Sequence, residues 1–223
     1  LCESIRRHRN GRHTREKNYR YACEVFSKVP VKPGKKKRVG ITGEIYMKYS
    51  KLGNDDIESF LLRQGMEPYS GGFVNYFLYL VDTERYKAEK YQHNPIMVKA
   101  CAFVLHRLCE AQKHLLTVIG ETDRFQTDLP FPELKEKVQG ILAEGCNTGD
   151  GWLIAAEVIQ YVEKGCGSVL ILHPFGCLVS HVCERGILQR LHARFPDVSI
   201  QTIEYDYDQS KTLRESRILL GIS

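Results

Sequence analysis

Residues 167–173, Gly167-Ser168-Val169-Leu170-Ile171-Leu172-His173, decide the fold. The run is apolar at consecutive positions, so both faces of the strand it predicts must be covered, the signature of a parallel strand between two layers. Pro174-Phe175-Gly176-Cys177 then leaves the strand as a loop, and Ser180 is expected to cap a helix over 181–195 whose apolar side is Val182, Ile187, Leu188 and Leu191. Val198–Tyr205 reads as the next strand and Lys211–Leu220 as a closing helix. This β-α-β-α order calls for right-handed crossovers.

Moving towards the N-terminus, Arg38-Val39-Gly40-Ile41-Thr42-Gly43 reads as a short buried strand ending in a glycine-containing loop. Asn54 or Asp55 can cap a helix through Ile57, Phe60, Leu61 and Leu62 that stops at Gly65, and a short strand over Glu67–Tyr69 closes a first β-α-β unit. Residues 73–145 read as a helical insertion: Phe73–Val81, Arg85–Tyr91, Pro95–Gly120 and Pro132–Ala143. In the longest of these, Met97, Ala100, Cys101, Val104, Leu108 and Leu115 form one apolar stripe. Trp152–Val162 is one more helix before the decisive strand. The sum is an α/β fold, a Rossmann- or flavodoxin-like parallel sheet in strand order 2-1-3-4, with a helical insertion and an N-terminal helix.

Composition agrees with a globular chain: 223 residues, 43% hydrophobic and 26% charged. Leu1 in place of Met suggests a piece of a longer polypeptide. No apolar run approaches the roughly 20 residues that cross a bilayer, so no membrane partner is expected. Residues 1–38 hold 13 Lys/Arg against 3 Asp/Glu, and the rest 19 against 24. Residues 1–37 read as a basic exposed helix followed by a Pro/Gly/Lys linker, distinct from an α/β domain over 38–223. Such an arm can meet an anionic surface, but it lacks any nucleic-acid motif and the aromatic interleaving of a nucleic-acid binder.

The eight cysteines contain no Cys-x-x-Cys pair, which leaves out a self-contained zinc knuckle or ferredoxin motif. Mostly free thiols in a reducing, cytoplasmic setting are the expectation. In a doubly wound sheet, ligands bind beyond the carboxyl ends of the strands, at the switch point between strands one and three. That rule brings together Thr42-Gly43-Glu44-Ile45-Tyr46 and His173-Pro174-Phe175-Gly176-Cys177, with Glu204-Tyr205-Asp206 alongside. Cys177 falls just before a helix N-terminus, where free N–H groups favour a thiolate that binds metal or attacks an electrophile; a small buried thiol is the plainer alternative. His173 and His181 flank it, so a Cys/His thiol enzyme must be weighed. Gly145-Cys146-Asn147-Thr148-Gly149-Asp150-Gly151 can be a phosphate cradle or a plain turn, and lacks the Lys-Ser/Thr end of a P-loop.

Four stretches carry a resemblance: Val39-Gly-Ile-Thr-Gly-Glu-Ile-Tyr-Met-Lys-Tyr-Ser50 with its continuation to Leu61, Gly151-Trp-Leu-Ile-Ala-Ala-Glu157, Pro174-Phe-Gly-Cys-Leu178, and Ile203-Glu-Tyr-Asp-Tyr207. In order and spacing they are similar to the C-terminal part of the CoA-substrate-specific enzyme activases, within the 2-hydroxyacyl-CoA dehydratase-related family. The resemblance implies an electron-transfer system in which an upstream ATPase activator module uses ATP. A [4Fe-4S] cluster would be shared with an upstream cysteine-bearing domain, and an acyl-CoA is the implied substrate class. Of the site residues the resemblance carries over Cys177 alone, as a metal ligand; placing the cluster at the sheet mouth then puts Gly43, Glu44 and Tyr46 in the same cofactor-binding lining and makes His181 a donor to the cluster sulfurs. The isolated chain would not act alone. A non-catalytic domain that docks the activator is the other reading. After Cys177 the chain has Leu178-Val179-Ser180-His181 where the family shows Leu-Pro-Asn-His, and after Asp206 it lacks the family's Pro-Gly.

Overall fold

The computed structural model describes residues 12–31 and 34–222. Residues 1–11, which include Cys2 and the start of the basic arm, residues 32–33 of the linker, and Ser223 lie outside them. Helix α1 (Arg12–Ser27) leads to β1 (Arg38–Gly43), α2 (Ile45–Tyr49), α3 (Ile57–Arg63) and β2 (Glu67–Ser70). The insertion holds α4 (Val74–Lys90), α5 (Pro95–Gly120) and α6 (Phe131–Lys137), followed by α7 (Gly151–Glu163). Then come β3 (Ser168–Pro174), a π-helical turn (Ser180–Glu184) that continues into α8 (Arg185–Arg194), β4 (Ser199–Tyr205) and α9 (Lys211–Ile222).

The four strands form a parallel sheet in the order β2-β1-β3-β4, a Rossmann/flavodoxin-like arrangement as the sequence predicts. β3 lies at its centre, and its consecutive apolar residues serve two cores. Val169 and Ile171 join Trp152, Ile159 and Leu191 on one face. Leu170 and Leu172 join Met47, Leu61 and Ile218 on the other. Burying both faces of one strand is the physical reason this segment has no polar alternation. α7 lies so close on β1 that a Cβ at Gly40 would come 2.8 Å from the Tyr161 ring. Only glycine allows that approach.

Several boundaries differ from expectation. Phe73–Val81 and Arg85–Tyr91 are one helix, α4, because nothing between them breaks it; Asp82 and Thr83 are buried inside. The Ile45–Tyr49 helix is short and was not expected; Glu44 caps it, its carboxylate accepting the Met47 N–H at 3.0 Å. Asn54 accepts from Ile57 N at 3.4 Å, although Asp56 precedes the first helical residue of α3. The stripe on α5 is left largely uncovered, with Met97, Val104 and Leu108 all at least 40% exposed. α1 rests on α5 instead, where Arg20 pairs with Glu16 and Glu121. No described helix is long and apolar enough to cross a membrane.

Candidate functional site

The carboxyl ends of β1, β3 and β4 open to one side, and the four motif stretches converge there. Gly43 ends β1 at φ +132°, and a Cβ on it would lie 2.0 Å from Leu172 O. The Glu44 N–H donates to that same carbonyl at 2.9 Å. Gly43 and Glu44 therefore build the turn: glycine permits the approach to β3, and the Glu44 carboxylate is engaged as a cap. Tyr46 is half exposed and borders a groove of about 530 Å³ with Gly53, Tyr205, Tyr207 and Lys211.

From β3, Pro174 and Cys177 close a tight turn, with Cys177 N donating to Pro174 O at 3.3 Å and Gly176 supplying the left-handed φ of +75°. The helix begins at Leu178, so Cys177 stands immediately before it, part-exposed. Ser180 is not the cap that the sequence suggests. It lies inside the helix, in the π-helical turn, and its hydroxyl donates to Cys177 Sγ at 3.2 Å. An O–H aimed at sulfur is the kind of outer partner that orients a thiolate ligand on a metal.

Both ring nitrogens of His181 are engaged by oxygens. Nδ1 lies 2.8 Å from Cys177 O and Nε2 3.3 Å from Glu204 Oε2. His173 is fully buried on β3, beside Glu204 on β4 in the sheet register. Its Nδ1 is 3.9 Å from Glu204 Oε2, and its Nε2 meets no partner among the described residues. Burial holds the His173 imidazole below the usual histidine range, in its neutral form. No His nitrogen is recorded on Cys177 Sγ among the described residues, so the geometry lends a Cys/His dyad no support.

Behind the mouth lie charges that the sequence reading missed. Lys48, from α2, is buried against Glu157 of α7, with Nζ 2.7 and 2.8 Å from its two oxygens; Thr42 Oγ1 donates to Oε2 at 2.5 Å. Burial alone would favour the neutral amine, but the Glu157 carboxylate outweighs it and raises the Lys48 pKa. Asp150 accepts the Ile45 N–H at 3.3 Å, and its carboxyl is pushed up to about 7 by burial, with Glu44 and Glu157 adding to the rise. Glu184 is wholly buried in the π-helical turn, within reach of the Ser180 hydroxyl. Burial, with Asp150 and Glu44 nearby, pushes it up to about 8. The available signal was a lone charge in each apolar segment: Glu157 within 152–162, Lys48 beside Met47.

The remaining thiols are elsewhere. Cys101 and Cys109 are on α5, and Cys166 is buried before β3. Cys183 neighbours Cys146, not Cys177. The 145–151 loop is a turn: Trp152 N donates to Cys146 O at 2.9 Å, and a Cβ at Gly151 would lie 2.1 Å from that oxygen. In comparisons with family models, with curated proteins and with solved structures, nothing matches the chain.

Proposed function

We propose that the chain is the α/β end domain of a [4Fe-4S]-binding electron-transfer polypeptide related to 2-hydroxyacyl-CoA dehydratase subunits and their ATP-dependent activators, and that Cys177 gives one ligand. The observation that carries this reading is the setting of Cys177. It is a part-exposed thiol before a helix, at the switch point of a parallel sheet, with the Ser180 hydroxyl donated to its sulfur. The meeting of all four resembling stretches at that mouth supports it further, through the Glu44–Leu172, Ile45–Asp150, Thr42–Glu157 and Phe175–Tyr205 hydrogen bonds.

The donor set fits one corner of a cluster. Among the described residues no second cysteine joins Cys177, so the other ligands belong to an upstream cysteine-bearing domain, and ATP to an upstream activator. Such a cluster, when bound, would pass single low-potential electrons towards an acyl-CoA. This chain's own residues position the sulfur: Gly176 and the Pro174 carbonyl fix the turn, and Ser180 lowers the charge on Sγ. Replacing Ser180 by Ala in the longer parent polypeptide removes that hydrogen bond. Iron content should hold while the reduction potential falls by tens of millivolts, as expected for one hydrogen bond of about 1 kcal/mol. An unchanged potential would place the cluster away from Cys177.

A docking role has one observation of its own. Phe73, Phe77 and Tyr49 form an edge-to-face aromatic group beside the mouth, and both phenylalanines are more than 40% exposed. It is compatible with a ligand role for Cys177, since a domain completing a cluster there must also dock there.

A further inference from the structure

We infer that His173, His181 and Glu204 form a second, cysteine-free site for a divalent transition-metal ion of the zinc class. The site follows from sheet register. His173 and Glu204 are Cα partners on β3 and β4, so their side chains leave the sheet together, and the helix after the Cys177 turn brings His181 over them. The two imidazoles meet edge to face, 5.3 Å between centroids. One nitrogen from each histidine and one Glu204 oxygen all lie within 4.8 Å of one another.

Metal–nitrogen and metal–oxygen bonds of about 2.0–2.2 Å at tetrahedral angles set neighbouring donors about 3.3–3.6 Å apart. The His181–Glu204 separation of 3.3 Å already satisfies this, and the His173–Glu204 separation of 3.9 Å needs a shift of a few tenths of an ångström. His173 Nδ1 also lies 3.4 Å from the Pro174 carbonyl, a long contact that the ion has to replace, whereas His181 has its outer partner in place. His181 Nδ1 lies 2.8 Å from the Cys177 carbonyl, which holds the proton on that nitrogen and turns the Nε2 lone pair towards Glu204. Two imidazoles and one carboxylate leave positions open for water or a ligand, a set suited to zinc, cobalt or ferrous ions and not to calcium or magnesium.

In the structure a guanidinium occupies the cation's role. Arg185 Nη2 lies 2.8 Å from Glu204 Oε2, and the Arg185 side chain is 48% exposed. A divalent ion has to displace it, and the exposed arginine can swing into solvent. This gives a variant that should gain function: Arg185→Met removes the competitor without touching a ligand. The site shares only the Cys177 backbone with the proposed cluster ligand, so each can fail without the other.

The test is titration of the 223-residue chain, treated with chelator, with Co²⁺ and then with competing Zn²⁺. One Co²⁺ per chain is expected, with d–d absorption of a low-coordinate nitrogen/oxygen site and no sulfur-to-cobalt charge-transfer band. His181→Gln and Glu204→Gln, at partly exposed positions that leave the core intact, should each weaken binding more than about tenfold. Arg185→Met should tighten it, and Cys101→Ser, on α5, should leave it unchanged. Folding of each variant is checked by circular dichroism. Absence of saturable binding to the folded chain would overturn the inference. So would binding that survives both ligand variants, or a sulfur-to-cobalt band that disappears in Cys177→Ser.

Discussion

Glu157→Gln should cost about 3–5 kcal/mol of stability, the largest loss expected from a single uncharged, near-isosteric change in this chain. The substitution keeps an oxygen for the Thr42 hydroxyl but leaves the Lys48 ammonium buried without its anion. With native stabilities of about 5–15 kcal/mol, that is a large fraction of the total. At about 2–4 °C per kcal/mol for a domain of this size, the melting temperature should fall by roughly 10 °C. The double variant Lys48→Met/Glu157→Gln should recover most of the loss, because it removes the stranded charge and fills the space with an apolar chain. Denaturant unfolding of the single and double variants reads this directly. A single variant within 1 kcal/mol of wild type, or a double variant no better than the single, would mean that the pair is not the buried, mutually dependent couple described.

Stability should fall as pH rises from about 4.5 to 8, opposite to the usual carboxylate behaviour. The sign follows from two raised carboxyls, Glu184 and Asp150, set against one depressed histidine, His173, which acts in the opposite sense below its unfolded value of about 6.5. The folded pKa of Glu184 is raised from 4.5 to about 8, and that of Asp150 from 3.8 to about 7. Each contribution is fully present below the unfolded pKa, where both states hold the proton, and is lost as pH rises through the folded value. Each group adds a slope of up to about 1.4 kcal/mol per pH unit within its window. Glu184 is faced by Asp150 at the start of α7 and by Glu44 from the β1–α2 turn, with the Ser180 hydroxyl and, less strongly, Arg185 acting in the opposite sense. Replacing Glu184 by Met removes its slope, so the variant should exceed wild type by a few kcal/mol at pH 8 and by little at pH 4.5. Parallel unfolding curves at the two pH values, with an unchanged difference between the proteins, would show that Glu184 ionises freely in the folded state.

The sheet was legible because burial on both faces leaves a mark in sequence: Ser168–His173 and Val39–Thr42 have no room for polar alternation. Strand order followed from the helices between strands and the handedness of crossovers. Cys177 was placed correctly before a helix because Pro174-Phe175-Gly176 cannot continue either strand or helix. Ser180 was misread because a serine near a helix start satisfies the capping rule whichever partner it takes, and here the partner is sulfur one turn back. Tertiary pairs were not legible. Lys48 and Glu157 are 109 residues apart, and although the switch-point rule put His173, His181 and Glu204 at one mouth, their facing side chains follow only from the register of β3 and β4. The α5 stripe marks another limit: periodicity shows that a helix has an apolar face, not what covers it.

The most direct test of the central claim is iron and acid-labile sulfide in the longer parent polypeptide, purified without oxygen, beside its Cys177→Ser variant. The account predicts a wild type with near-stoichiometric iron and sulfide, and a folded variant that loses most of both. Cys183→Ser, which neighbours Cys146 and not the mouth, should retain them. A Cys177→Ser variant that keeps its full iron and sulfide, or a wild type that holds none with its upstream cysteines intact, would contradict it.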